Sequence, residues 1–223
     1  MKITAVRAHV LRLPEVSAIC EGTQDTCLIQ IETDSGIMGW GEVDSCPSVV
    51  KAVVEAPLSH QICNGLANAL MGADPLSVEA CMARMDAAAN YYGRVGVGAH
   101  AMAGINQALW DISGKAHDAP IYQLFGGPFN KSFRAYCSIL FGDTPEATYD
   151  LARRHADMGF TAIKFGWGPM GQSEEHDIAL VREARRGAGQ DVDILVDAGQ
   201  VWDWKTALQR AESFAEYDIF WLE

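Results

Sequence analysis

Three apolar segments in the C-terminal half each run into a charged residue: Thr161-Ala-Ile-Lys164, Val192-Asp-Ile-Leu-Val-Asp197 and Ile219-Phe-Trp-Leu-Glu223. Lys164 and Asp197 lie 33 positions apart, and Asp197 and Glu223 lie 26 apart. A closed barrel of alternating strands and helices spends roughly 30 residues on each strand-plus-helix unit. The spacing is therefore one unit, then one unit. It places each charged group at the C-terminal end of a strand, where such barrels carry their chemistry. Two carboxylates on neighbouring strands, with a lysine one strand before them, can hold a divalent cation beside a bound anion.

The surrounding pattern agrees. Strands are predicted at 133–141, 161–167, 192–198 and 219–223, with helical spacing between them. Thr144 and Pro145 suit the N-cap and first position of a helix that Gly159 closes. Ser173-Glu-Glu starts a second helix with acidic residues at the positive end of its dipole. Asp203 begins a third, with Trp204, Ala207, Leu208, Ala211, Phe214 and Ala215 on one stripe. Strand and helix in alternation mean a parallel sheet.

The first half reads differently. Residues 1–13, 26–33 and 37–42 are strand-like, with a turn at Asp34-Ser-Gly36, and together predict a three-stranded antiparallel meander. The aperiodic stretch 14–25 is read as a mobile loop. Residues 48–125 carry helical spacing. The apolar positions of 99–116 nearly encircle that segment, which predicts a buried helix. Gly126-Gly127-Pro128 breaks the pattern, so the expected domains are 1–127 and 128–223.

Composition narrows the classes. Hydrophobic residues make up 49% of 223, as in a globular protein. A formal net charge of −12 disfavours nucleic acid and acidic membrane surfaces as partners. No apolar run is long enough for a membrane span, and the start lacks the apolar core of a secretory signal. The six cysteines, including Cys20, form no C-x-x-C pair and are read as reduced thiols of a cytoplasmic protein. The histidines are read as structural or solvated. Trp167, Trp202 and Trp204 pack loops by default, although Trp167 and Trp202 could also line a pocket. Gly166-Trp-Gly-Pro-Met-Gly171 lacks the glycine spacing of a phosphate-binding loop.

Five stretches together resemble the enolase superfamily, in its mandelate racemase and muconate-lactonizing branch. They are Gly39-Trp-Gly-Glu42, Ala108-Leu-Trp-Asp-Ile-Ser-Gly-Lys115, Pro120-Ile-Tyr-Gln-Leu-Phe-Gly-Gly127, the strand around Lys164, and the Asp197/Glu223 pair. The resemblance covers essentially the whole chain. It implies an α+β capping domain followed by a TIM-like, modified (β/α)7β barrel, of which this chain holds about four strands. It implies Mg2+ bound through three carboxylates on successive strands, Asp197 first and Glu223 second, with the third one unit beyond this chain. It implies abstraction of the proton α to a carboxylate, with the enolate stabilised on the metal. Lys164 would contact the substrate carboxylate. The capping loops, here 14–25 and 43–47, would set specificity, and the full-length protein would be a homo-oligomer.

Two positions depart from the family pattern. The second lysine of a frequent Lys-x-Lys motif is Gly166, and a frequent Asn after the first ligand is Gly199. Strand side chains alternate, so position 166 shares a face with Lys164 and carries no base. Any base must then be Lys164 itself or a His/Asp dyad on later strands. One base suits elimination of water better than a two-base racemisation. The expectation is an acid-sugar dehydratase acting on a hydroxy-carboxylate. The alternatives are a racemase or cycloisomerase of the same branch, a non-catalytic binding or structural module, and a barrel enzyme of another family, such as an aldolase. The capping stretches argue against that last reading. The 96 residues from Pro128 onward suffice for about three and a half units, so the chain is expected to be a fragment, inactive by itself.

Overall fold

A computed structural model describes residues 1–17 and 24–223. Cys20 and the middle of the 14–25 stretch lie outside the described residues. The chain forms two compact units, Met1–Phe129 and Asn130–Glu223. Among the described residues no helix is long and apolar enough to cross a membrane, and Cys27, Cys46, Cys63, Cys81 and Cys137 are free thiols.

The first unit is built on an antiparallel meander of β1 (Ile3–Arg12), β2 (Asp25–Thr33) and β3 (Met38–Val43) in that spatial order. Alternation sends Cys27, Ile29, Ile31 and Thr33 of β2 inward, together with Gly39, Gly41 and Val43 of β3. The β2–β3 turn uses Gly36 at φ +83°, a left-handed conformation that glycine adopts without cost from a Cβ. Five helices follow: α1 (Pro47–Glu55), α2 (Leu66–Leu70), α3 (Val78–Ala88), α4 (Val97–Ala116) and the single turn α5 (Ile121–Leu124).

Helix α4 lies directly on β3, and small residues permit it. A Cβ added to Gly41 would stand 2.0 Å from the Gly104 carbonyl oxygen, and one on Gly39 would stand 2.1 Å from that of Ala108. Polar residues on α4 then serve the free edge of β3. The Glu42 N–H donates to Gln107 Oε1 at 3.1 Å, and the Trp40 N–H donates to Asp111 Oδ2 at 2.9 Å. The Lys115 ammonium donates to the Met38 carbonyl at 2.8 Å and to Asp111 at 2.6 Å. Four helical residues advance about 6 Å and two strand residues about 6.8 Å, so every fourth residue of the helix meets every second residue of the strand. The edge is thereby covered without another strand. Helix α4 is not buried all round as expected: Ala103, Gln107 and Lys115 are exposed. Its buried face is instead widened by Gly98, Ala101, Gly104, Ala108 and Gly114, which hydrophobic spacing alone underweights.

The second unit alternates β4 (Cys137–Leu140), α6 (Pro145–Asp157), β5 (Ala162–Gly166), α7 (Glu174–Ala188), β6 (Asp193–Asp197), α8 (Trp204–Phe214) and β7 (Ile219–Leu222). The four strands form one parallel sheet in sequence order. Each helix starts where the sequence signals it. The Thr144 side chain accepts from the Ala147 N–H, Ser173 from that of His176, and Asp203 from that of Thr206. Ile163, Phe165, Ile194 and Val196 join Leu180, Val181, Ala184 and Phe214 in one core. Strand β4 is shorter than the predicted 133–141. Its pairing with β5 begins at Cys137 opposite Ile163, and β5 itself starts only one residue earlier.

Replacing Gly41 by alanine forces a methyl group into the α4 backbone. Gly41→Ala is expected to destabilise the protein by about 3 kcal/mol, the upper range for overpacking. Urea unfolding followed by circular dichroism measures it, and a loss under about 1 kcal/mol would contradict the close packing described.

Candidate functional site

The site lies at the C-terminal ends of β5, β6 and β7. Gly166 and Asp197 are register partners across β5 and β6, while Lys164 pairs with Leu195 one pleat below. Ile163 and Phe165 are fully buried in the core, so Lys164 and Gly166 face the opposite side of the sheet. Lys164 is therefore two residues short of the end of its strand, as the predicted span 161–167 allows. The strand continues through Phe165 and Gly166, and the long lysine side chain spans the extra pleat. Glu223 follows β7, and its backbone continues the ladder. Its N–H donates to Val196 O at 2.8 Å and its carbonyl accepts from the Ala198 N–H at 2.9 Å. Bonds to the residues on either side of Asp197 make Glu223 its lateral neighbour.

The three side chains meet. Lys164 Nζ lies 3.1 Å from Asp197 Oδ2 and 2.8 Å from Glu223 Oε2. The Lys164 and Asp197 side chains are each 14% exposed, and that of Glu223 is 57% exposed. The lysine pKa is raised, first by its hydrogen bond to Glu223 and further by Asp197, against the opposing effect of burial. One ammonium between two carboxylates leaves a local charge of −1. Asp197 is held on its other side, since Oδ1 accepts from the Gly199 N–H at 2.9 Å. Two carboxylates with oxygens facing one cationic centre form a hard donor set. Mg2+ takes one or two carboxylates and completes its shell with water and substrate oxygens, so Asp197 and Glu223 fit such an ion. Among the described residues no cluster of three or more His, Cys, Asp or Glu side chains suits a metal.

Gly166 leaves one flank of the site without a side chain, and packing does not require this. A Cβ there would stand 3.5 Å from Asp197 Cβ, an ordinary contact. Sequence reasoning missed the support beneath the loop after β5. Asp177, fully buried, accepts from the Gly171 N–H at 2.7 Å and from Arg210 Nε at 3.0 Å. Arg210 also pairs with Glu174 at 3.2 Å. These partners are 33 positions apart, and local pattern offers no signal for them.

Comparison with known proteins places this geometry in context. The model of the mandelate racemase / muconate lactonizing enzyme N-terminal domain matches residues 2–126, and that of the enolase C-terminal domain-like family matches residues 147–223. A D-galactarolactone cycloisomerase from Agrobacterium fabrum is 33% identical over all of this chain, which covers 58% of that protein. An arabinonate dehydratase from Saccharolobus solfataricus is 30% identical over 93% of the chain, covering 54% of the relative. The crystal structure of a 3,6-anhydro-D-galactonate cycloisomerase from Zobellia galactanivorans superposes on the whole chain with a TM-score of 0.84 and 25% identity, and the chain covers 58% of it. The chain thus spans less than two thirds of the length of these relatives.

Removing Asp177 would leave Arg210, whose side chain is only 10% exposed, without its buried partner. Asp177→Ala is expected to cost about 3–5 kcal/mol and to speed proteolysis in the loop after β5. Unchanged urea unfolding and unchanged cleavage would show that the pair does not anchor the loop.

Proposed function

We propose that this chain, which belongs to the mandelate racemase and muconate-lactonizing branch of the enolase superfamily, serves in the whole protein to abstract the proton α to the carboxylate of a sugar acid, most consistently as an acid-sugar dehydratase. The observation that carries this reading is the meeting of Lys164, Asp197 and Glu223 at one end of the parallel sheet, beside a position 166 that offers no base. Membership of the superfamily implies a divalent metal, and Mg2+ is the ion proposed, held by Asp197 and Glu223. When bound there, it would supply Lewis-acid stabilisation of the charge that develops on the substrate carboxylate as the α-proton leaves.

The side chains have distinct parts. Asp197 is fixed through Oδ1 by the Gly199 amide, so Oδ2 stays turned toward the site. Glu223 is fixed through its backbone and keeps an exposed side chain. Lys164 carries the positive charge that suits a substrate carboxylate, on a stem long enough to exchange one anionic partner for another. With Gly166 opposite Asp197, the chain places no second amine on this strand. A single-base elimination therefore accounts for the site better than a two-base racemisation. A cycloisomerase is the second reading, favoured by the 33% identity to the A. fabrum enzyme over the full chain.

The 223 residues alone carry two carboxylate ligands and no base on position 166. They are expected to bind Mg2+ weakly and to leave the α-protons of sugar acids unexchanged. Calorimetry should show Mg2+ binding that is lost in Asp197→Asn, and galactonate binding that requires both Mg2+ and Lys164. Galactonate binding indifferent to Mg2+ and to Lys164→Ala would sink the assignment. Exchange in D2O catalysed by the 223-residue chain and abolished by Lys164→Ala would instead make Lys164 the base.

A further inference from the structure

The chain leaves β5 through Trp167, a non-glycine residue at φ +52°. A bulky side chain in the left-handed region persists only where its surroundings hold it. Two contacts hold this one. Its N–H donates to the Asp197 carbonyl at 2.9 Å. Its ring lies against Gly199, where an added Cβ would stand 2.5 Å from Cε3, 2.7 Å from Cδ2 and 3.1 Å from Cζ3. Gly199 in turn is the residue whose N–H holds Asp197 Oδ1 at 2.9 Å. The indole therefore covers the peptide that aims the Asp197 carboxylate. A second contact of the same kind lies further along: a Cβ at Gly171 would stand 2.8 Å from Val201 Cγ2. Asp177 fixes Gly171 from below. The loops after β5 and β6 thus interlock at two glycines.

We propose that Trp167 is a positioning residue for the cation site: its indole occupies the side-chain volume of position 199 and clamps the Gly199 amide onto Asp197 Oδ1. This rests on the reading of Asp197 as a cation ligand. The physical reason is shielding and order. A hydrogen bond covered by an aromatic ring is less open to competition from water and acts in a lower dielectric. A carboxylate tethered through one oxygen also cannot rotate its other oxygen away from the ion. Partners that orient a ligand in this way are typically worth ten- to a hundredfold in metal affinity.

One volume shared by two positions gives a specific test. Gly199 sits at φ +60°, a conformation that asparagine tolerates better than other side chains. Gly199→Asn therefore probes space with little backbone strain. Mg2+ affinity is measured by calorimetry for the native chain, Trp167→Phe, Trp167→Ala, Gly199→Asn and the double variant Trp167→Ala/Gly199→Asn, with circular dichroism confirming the fold. Amide hydrogen exchange at Gly199 is followed by NMR without metal. Trp167→Ala and Gly199→Asn are each expected to weaken Mg2+ binding by about tenfold or more. Trp167→Phe should retain most of it, and the double variant should recover most of what Gly199→Asn loses. The Gly199 amide should lose protection in Trp167→Ala and keep it in Trp167→Phe. Native affinity in Gly199→Asn, or a double variant no better than Gly199→Asn, would overturn the inference. So would unchanged Gly199 protection in Trp167→Ala. A native chain that binds no Mg2+ would refute the cation reading itself, and the exchange data would then still decide whether Trp167 holds the amide.

Discussion

The Glu223 N–H reaches the Val196 carbonyl at 2.8 Å, and the Glu223 carbonyl takes the Ala198 N–H at 2.9 Å. These two backbone bonds straddle Asp197. In a parallel ladder a residue bonded to both neighbours of another is set beside it with its side chain on the same face. Two carboxylates are thus brought side by side by main-chain geometry, before either side chain contributes. Such a pair repels itself, and the structure answers with Lys164 from the next strand over. Strand pairing therefore decides which groups meet, and charge decides how they settle.

Absent side chains recur as a structural device in both units. In the first, Gly39 and Gly41 let the backbone of α4 come down on β3. In the second, Gly199 admits an indole. The first contact builds a core, while the second touches the residue whose N–H holds Asp197 Oδ1. Gly166 is a different case, because a Cβ there would make only ordinary contacts. Its meaning is chemical, since packing leaves room for a Cβ there and no basic side chain is present.

Much of this could be read in the chain order. Thr144, Ser173 and Asp203 were recognisable as helix starts because capping is local, linking a side chain to an amide three residues on. The strands of the second unit were visible from apolar runs, and the meeting of the Asp197 and Glu223 carboxylates from unit spacing. The ends were less visible. The apolar run before Lys164 marks only part of its strand, and pairing with β6 carries β5 to Gly166, within the predicted 161–167. The reading of 133–141 as one strand failed for the related reason that β-structure lasts only where a partner exists. Asp177 and Arg210 are joined across 33 positions. The indole over Gly199 likewise comes from the loop after another strand. Gly199 could be noticed as unusual, but what fills its space could not be inferred.

Gln107, Asp111 and Lys115 do more than cover an edge, because their polarities are not interchangeable. The first two accept from strand amides, and the third donates to a strand carbonyl. Were α4 to slide one turn along β3, either Asp111 would face the Met38 carbonyl, acceptor against acceptor, or Lys115 would face the Trp40 amide, donor against donor. Both mismatches leave polar groups without partners, which costs more than a hydrogen bond gains. Apolar packing of glycine and alanine is forgiving of such a slip, since one small residue resembles the next. The order of donors and acceptors along the helix works as a combination lock, and it opens at a single setting.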